Sequence, residues 1–225
     1  MRTFSSSSIA RKFVMSITGA FLILFIIFHL SMNLLLLFDD GTTYNLAAHF
    51  LESFPVIRVI ELTLAAGFLI HIILGTLLGY KNYRARPKKY KVKHSKNTSS
   101  WTSRNMLLLG GFILTYLLIH LMNFFWKIKF GEVPQTMVNG EQINDTYNLV
   151  AGLFKQYWWY DVIYVLGAIF LGLHLLHGFW SAFQSIGLDN DTWRPRLQII
   201  SIIFAMIVAV GFASIPIYFF IVANF

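Results

Sequence analysis

The chain has 225 residues, of which 56% are hydrophobic and 12% charged; its mean hydropathy is +0.62, its net charge +8, and it has no cysteine. An ordinary soluble domain carries about 25% charged residues, so the composition is that of a membrane protein. Lack of cysteine excludes a disulfide framework, a thiolate-held iron–sulfur cluster, a covalent c-type haem and a cysteine-based zinc site.

A membrane-crossing helix needs about 20 apolar residues, and five windows supply them. The first, residues 13–38, follows Arg2, Arg11 and Lys12. It is too long for a signal peptide and lacks a small-residue cleavage site, so it reads as helix one. The second covers 56–80, and a basic loop, KNYRARPKKYKVKHSKNTSSWTSR, fills 81–104. The third covers 106–126. Residues 127–161 read as a polar connection with turn signals at Gly131, Pro134 and Gly140. The fourth covers 162–183. The fifth covers 197–222 and contains Pro216, which is expected to kink it. The fold expected is a single all-α domain, 1–225, with five transmembrane helices and no loop long enough for a separate catalytic domain.

Basic residues sort by side. The N-terminus holds three, the 81–104 loop nine, and the loop before helix five Arg194 and Arg196, so fourteen of eighteen lie on one side. The other side holds Arg58, Lys127, Lys129 and Lys155 with eight of the ten acids. By the positive-inside rule the N-terminus is cytoplasmic and the C-terminus external. The net charge is therefore no nucleic-acid footprint. The basic loop has two readings: a topology determinant beside anionic lipid, or in addition a docking site for a soluble partner.

Four histidines stand in otherwise nearly uncharged windows: His29, His71, His120 and His174, with His177 one turn beyond the last. Ionisable groups at membrane depth are costly and usually functional, and neutral imidazole is a common axial ligand of haem iron. Taken singly, each also reads as a packed core residue. At about 1.5 Å per residue, His29 lies about 25 Å and His120 about 24 Å from the cytoplasmic charges, whereas His71 and His174 each lie about 15 Å from that end. Matched depths suggest two stacked bis-histidine haems, His29 with His120 outside and His71 with His174 inside. Glycine stands four residues after both inner candidates, Gly75 and Gly178, where it lets a flat macrocycle or a helix approach. Gly178 favours His174 over His177, which stays the alternative fourth ligand. His49 and His94 sit in polar loops, where solvation is the ordinary state.

The segments SSIARKFVMSITGAFLILFIIFHLSMNL at 7–34, HIILG at His71, LLIHLMNFFW around His120 and LGLHLLHGFWSAFQSIG at 171–187 resemble the cytochrome b subunit of succinate:quinone oxidoreductases and quinol:fumarate reductases, of the single-chain, two-haem type. The likeness extends over essentially the whole chain. The family's Gly-Asn after the first histidine is Met32-Asn33 here, so the amide is present and the glycine is not.

The resemblance implies two haem b groups on His29, His71, His120 and His174, and a membrane quinone, with menaquinone favoured. It implies a flavoprotein subunit and an iron–sulfur subunit on the cytoplasmic side of a bacterial inner membrane, and leaves open a dimer of the complex. This chain alone would not turn over succinate. Quinone chemistry needs protons, and toward the outer haem the ionisable groups available are Glu52, Glu61 and His49, which otherwise form an acidic external rim. For the haem periphery the candidates are Ser16, Trp101, Arg104, His177, Trp180 and Gln184, with Trp101 equally suited to anchor at the interface. Two other readings stand beside this one: a haem-free transporter or proton channel with a histidine relay, and the haem anchor of another quinone-linked dehydrogenase.

Overall fold

The computed structural model describes residues 8–84, 100–184, 186–188 and 190–225. Arg2, His94 and the centre of the basic loop, with the partner docking read from it, lie outside the described residues.

Long apolar runs without internal partners must close their backbone hydrogen bonds locally in lipid, and helices do so. Helix α1 spans Ser8–Leu34 and tightens into a 3₁₀ turn, Leu35–Leu37. Helix α2 is Thr42–Ser53, α3 Val56–Arg84, and α4 the short Trp101–Arg104. Helix α5, Met106–His120, runs through a π-helical turn, Leu121–Phe125, into α6, Trp126–Phe130. Strands β1, Gln135–Val138, and β2, Glu141–Asn144, precede α7, Thr146–Gln156, α8, Trp158–Gln184, and α9, Trp193–Asn224.

Five stretches are long and apolar enough to cross a membrane: Ile9–Leu37, Val56–Arg84, Met106–Phe130, Trp158–Gln184 and Trp193–Asn224. The chain is an all-α, multi-pass membrane protein. Four of the expected windows lie inside these stretches, and the first overshoots by one residue, Phe38. Exposed leucines and isoleucines such as Leu24, Leu62, Ile73 and Ile203 cover the outward faces, the arrangement that lipid favours. Pro216 is fully buried within a continuous α9.

Helices α1, α3, α5 and α8 form a ring in which each packs on the next, and α9 lies outside against α8 and α1. The α8–α9 interface is the largest, and small residues bring the backbones close. A Cβ on Gly172 would stand 2.8 Å from the Cβ of Ala209, and Ser201 Oγ donates to the Leu176 carbonyl at 3.2 Å. Leu30, Leu175, Ala205 and Val208 fill the bundle interior.

The 127–161 segment is more than a polar connection. Its strands pair Val138 with Glu141 around Asn139-Gly140, both at positive φ, which gives the primed turn that suits a tight hairpin. Asp145 then caps α7, accepting from the Asn148 amide at 3.1 Å. Helix α7 buries Val150, Ala151, Leu153 and Phe154 against Leu36, Tyr164, Ile215 and Phe219. With α2 and the hairpin it forms a cap over one end of the bundle.

Candidate functional site

Diagonal helices of the ring present their histidines toward each other. His29 on α1 and His120 at the end of α5 have ring centres 5.7 Å apart, and His71 on α3 and His174 on α8 have centres 6.4 Å apart. These are the two pairs that depth arithmetic suggests. Two imidazoles on opposite sides of one metal ion, with bonds near 2 Å and about 1 Å from nitrogen to ring centre, stand about 6 Å apart. Both pairs meet that spacing.

Neighbouring contacts set the vertical distance between them. A Cβ on Gly19 of α1 would lie 3.6 Å from His71 Cε1, so the second pair sits ten residues from His29 along that helix. On α5, a Cβ on Gly110 would lie 3.9 Å from His174 Cε1, again ten residues from His120. Ten residues of helix is about 15 Å, against the roughly 10 Å implied by counting from the helix ends. The glycines against the second pair are thus Gly19, Gly110 and Gly178, the last because a Cβ there would stand 3.8 Å from His174 Cδ2; a Cβ on Gly75 would instead meet Met15.

Polar groups orient the imidazoles. Thr18 Oγ1 lies 3.0 Å from the carbonyls of Val14 and Met15, to which its single proton is given, and 3.3 Å from His71 Nδ1. Its lone pair therefore accepts from Nδ1–H, leaving Nε2 of His71 as the free acceptor or ligand atom. Asn33 Nδ2 donates to the His29 carbonyl at 2.8 Å and lies 3.4 Å from His29 Nδ1. Phe25 stacks on His29 at 5.1 Å, while Tyr116, Phe124 and Tyr164 surround His120 at 6.0, 5.3 and 6.1 Å. The π turn directly after His120 buries Asn123, whose Nδ2 donates to the Tyr164 hydroxyl at 3.2 Å. Such turns often mark functional positions.

The Nδ1 atoms of His120, His174 and His177 are buried without a hydrogen-bond partner among the described residues. His177 points its ring at Trp180, edge to face at 5.2 Å, and makes no ring contact with His71. Among the described residues no group of three or more His, Asp or Glu side chains gathers to hold a bare metal ion. Two donors per level cannot complete a coordination sphere alone. A metal held at either level would need a group that brings most of its own donors, with the two imidazoles as the protein's share.

The remaining candidates scatter. Ser16 is buried, and its hydroxyl donates to the Ala182 carbonyl, tying α1 to α8. Trp101 is exposed on α4, which packs on α8. Arg104 and Gln184 are both engaged with other groups. Arg104 lines an open groove of about 640 Å³ with Leu108, Gly111 and Thr115, on the opposite side of α5 from His120. Glu61 forms an ion pair with Lys129 at 2.9 Å. His49 and Glu52 do meet, lining a cleft of about 270 Å³ between α2 and the hairpin. There His49 Nε2 approaches Glu141 at 3.5 Å, and Glu52 accepts from Asn144 Nδ2 at 3.0 Å.

Sequence reasoning missed Thr18, Gly19, Gly110 and the buried Asn123–Tyr164 pair. Each lies on a different helix from the histidine it serves, or in the π turn, so no local pattern marked it. No protein-family model, curated protein or solved structure matches the chain.

Proposed function

We propose that the chain is the membrane-anchor cytochrome b subunit of a succinate:quinone oxidoreductase or quinol:fumarate reductase. In this reading it carries electrons between a membrane quinone, menaquinone by preference, and the iron–sulfur and flavoprotein subunits at the basic, cytoplasmic end. The membrane is the bacterial cytoplasmic membrane.

The observation that carries the reading is the pairing of four intramembrane histidines across the two diagonals of one helix ring, at 5.7 and 6.4 Å and at two separate levels. His29 and His120 would hold one haem b, and His71 and His174 the other. When bound, haem supplies a one-electron redox centre whose potential follows axial ligand, burial and nearby hydrogen bonds. The chain's own contribution is orientation and exclusion of water. Thr18 sets the His71 tautomer, Asn33 braces His29, and the Tyr116, Phe124 and Tyr164 rings keep the His120 level apolar. Gly19, Gly110 and Gly178 keep side-chain bulk away from the second pair. Resemblance in the first and fourth histidine segments supports the succinate and fumarate family over other quinone-linked dehydrogenases.

Purification of the intact complex tests the reading. Reduced-minus-oxidised absorption should show b-type bands at two haems per chain, with flavin and iron–sulfur subunits copurifying. Absence of the bands would favour a haem-free histidine relay; bands without flavin would favour another dehydrogenase's anchor.

A further inference from the structure

The four paired histidines differ in what stands at Nδ1. In His120 and His174 that atom is buried with no hydrogen-bond partner among the described residues. At His29 the neighbour is an amide nitrogen, Asn33 Nδ2, which lies 3.4 Å from Nδ1 and 3.5 Å from Nε2 and gives a proton to the His29 carbonyl at 2.8 Å. An amide NH₂ group donates and cannot accept from either ring nitrogen. Among the described residues only His71 has an oxygen acceptor from another helix at Nδ1, the Thr18 hydroxyl at 3.3 Å.

Local structure on α1 fixes that contact. Thr18 is buried, and the carbonyls of Val14 and Met15, each 3.0 Å from its hydroxyl, take its only proton. Bonding back to the preceding turn is a rotamer that threonine favours in a helix, so the oxygen is held with its lone pairs free to accept from His71. The next residue completes the seat. A Cβ on Gly19 would lie 3.6 Å from His71 Cε1 and 4.0 Å from Nδ1, so the Nδ1–Cε1 edge of the imidazole rests on two consecutive residues of α1.

We propose that Thr18 is a positioning residue that lowers the reduction potential of the His71–His174 level, and that the His29–His120 level has no counterpart. The inference rests on the electron-transfer reading above. An imidazole that gives its second N–H to an acceptor is a stronger base toward a metal at the other nitrogen, and its tautomer and ring plane are fixed. Stronger donation favours the oxidised over the reduced iron, so the potential falls. One electron, which that reading supplies, enters or leaves at this level, and the shared proton stays on Nδ1 throughout.

The test is a redox titration of the full-length chain in its complex, followed by visible absorption, with His71→Ala identifying the signal that belongs to the inner pair. Thr18→Val keeps the shape and removes the acceptor. At the wild-type midpoint it should raise the reduced-to-oxidised ratio of that signal about tenfold, a shift of about 59 mV for one electron. The other signal should stay in place, and Thr18→Ser should restore the wild-type midpoint. An unmoved inner midpoint in Thr18→Val, or an equal shift at both levels, would overturn the proposal. If Thr18→Val does not assemble, Thr18→Cys, whose sulfur is a weaker acceptor, should raise the inner midpoint above that of Thr18→Ser, and equal midpoints would overturn it as well. Missing b-type bands in the wild type would sink the electron-transfer reading and this inference with it, whereas intact bands with unmoved midpoints would sink the inference alone.

Discussion

Asn45 on α2 and Asp145 at the head of α7 lie one hundred residues apart in the chain, yet Asn45 Nδ2 donates to Asp145 Oδ1 at 3.0 Å. The same amide's oxygen accepts from Thr146 Oγ1 at 3.0 Å and from the Tyr147 amide at 2.8 Å. One buried side chain therefore joins the two helices of the cap. Replacing it with alanine leaves buried donors and acceptors unpaired, at about 2 kcal/mol. Asn45→Ala should make the cap exchange its amide hydrogens faster while the spans keep their protection, as hydrogen exchange read by mass spectrometry would check.

Acid should loosen the same contact. Burial pushes the Asp145 carboxyl up, but hydrogen bonds from the Asn148 and Asn45 side chains and the Asn148 amide outweigh it and leave the group below the ordinary carboxylate range. Because the folded value lies under the unfolded one, about 3.9, its stabilisation is present above that value and is lost as pH falls through the folded one. Exchange in α2 and α7 should therefore rise below about pH 4, and Asp145→Asn should blunt that rise.

The pairing of histidines makes a two-by-two prediction. His29→Ala and His120→Ala should each remove the same haem signal, and His71→Ala and His174→Ala the other, in reduced absorption and in the magnetic resonance of the oxidised protein. His177→Ala should keep both. Loss of a haem in His177→Ala with retention in His174→Ala would reassign the fourth ligand.

Gly167 and Gly172 sit where a methyl group has no room. At Gly172 it would press on Ala209 Cβ at 2.8 Å and the Ala205 carbonyl at 3.3 Å; at Gly167 it would strike the Tyr116 ring, which is packed against His120 and Tyr164. Gly172→Ala and Gly167→Ala should each cost about 1–3 kcal/mol of overpacking and lower the thermal midpoint of the detergent-solubilised protein. Gly167→Ala should also perturb the His120-level signal through Tyr116, leaving the His71 level unchanged.

Sidedness follows from the split of basic residues and is open to labelling, since the chain has no native cysteine to interfere. A single cysteine placed near Lys91 should react only from the cytoplasmic side, and one at Gly140 only from outside. The opposite pattern would reverse the naming of inner and outer pairs.

Five helices were legible in the sequence because crossing lipid demands some twenty apolar residues in a row, a local property. The histidine pairs were legible for a related reason: helix rise is constant, so position along the chain converts to depth. The Asn139-Gly140 turn of the hairpin was also written locally, although its four-residue strands were too short to stand out. Only the tertiary structure decided that α2, the hairpin and α7 close over the bundle, because one amide at Asn45 joins segments a hundred residues apart. It likewise decided that Thr18 and Gly19 serve His71, that Gly110 faces His174, and that Asp161 is buried without a hydrogen-bond partner among the described residues whereas Glu61 pairs with Lys129. Burial and pairing depend on which helix faces are turned toward one another, and that is set by side-chain packing among distant segments, which hydropathy and spacing do not encode.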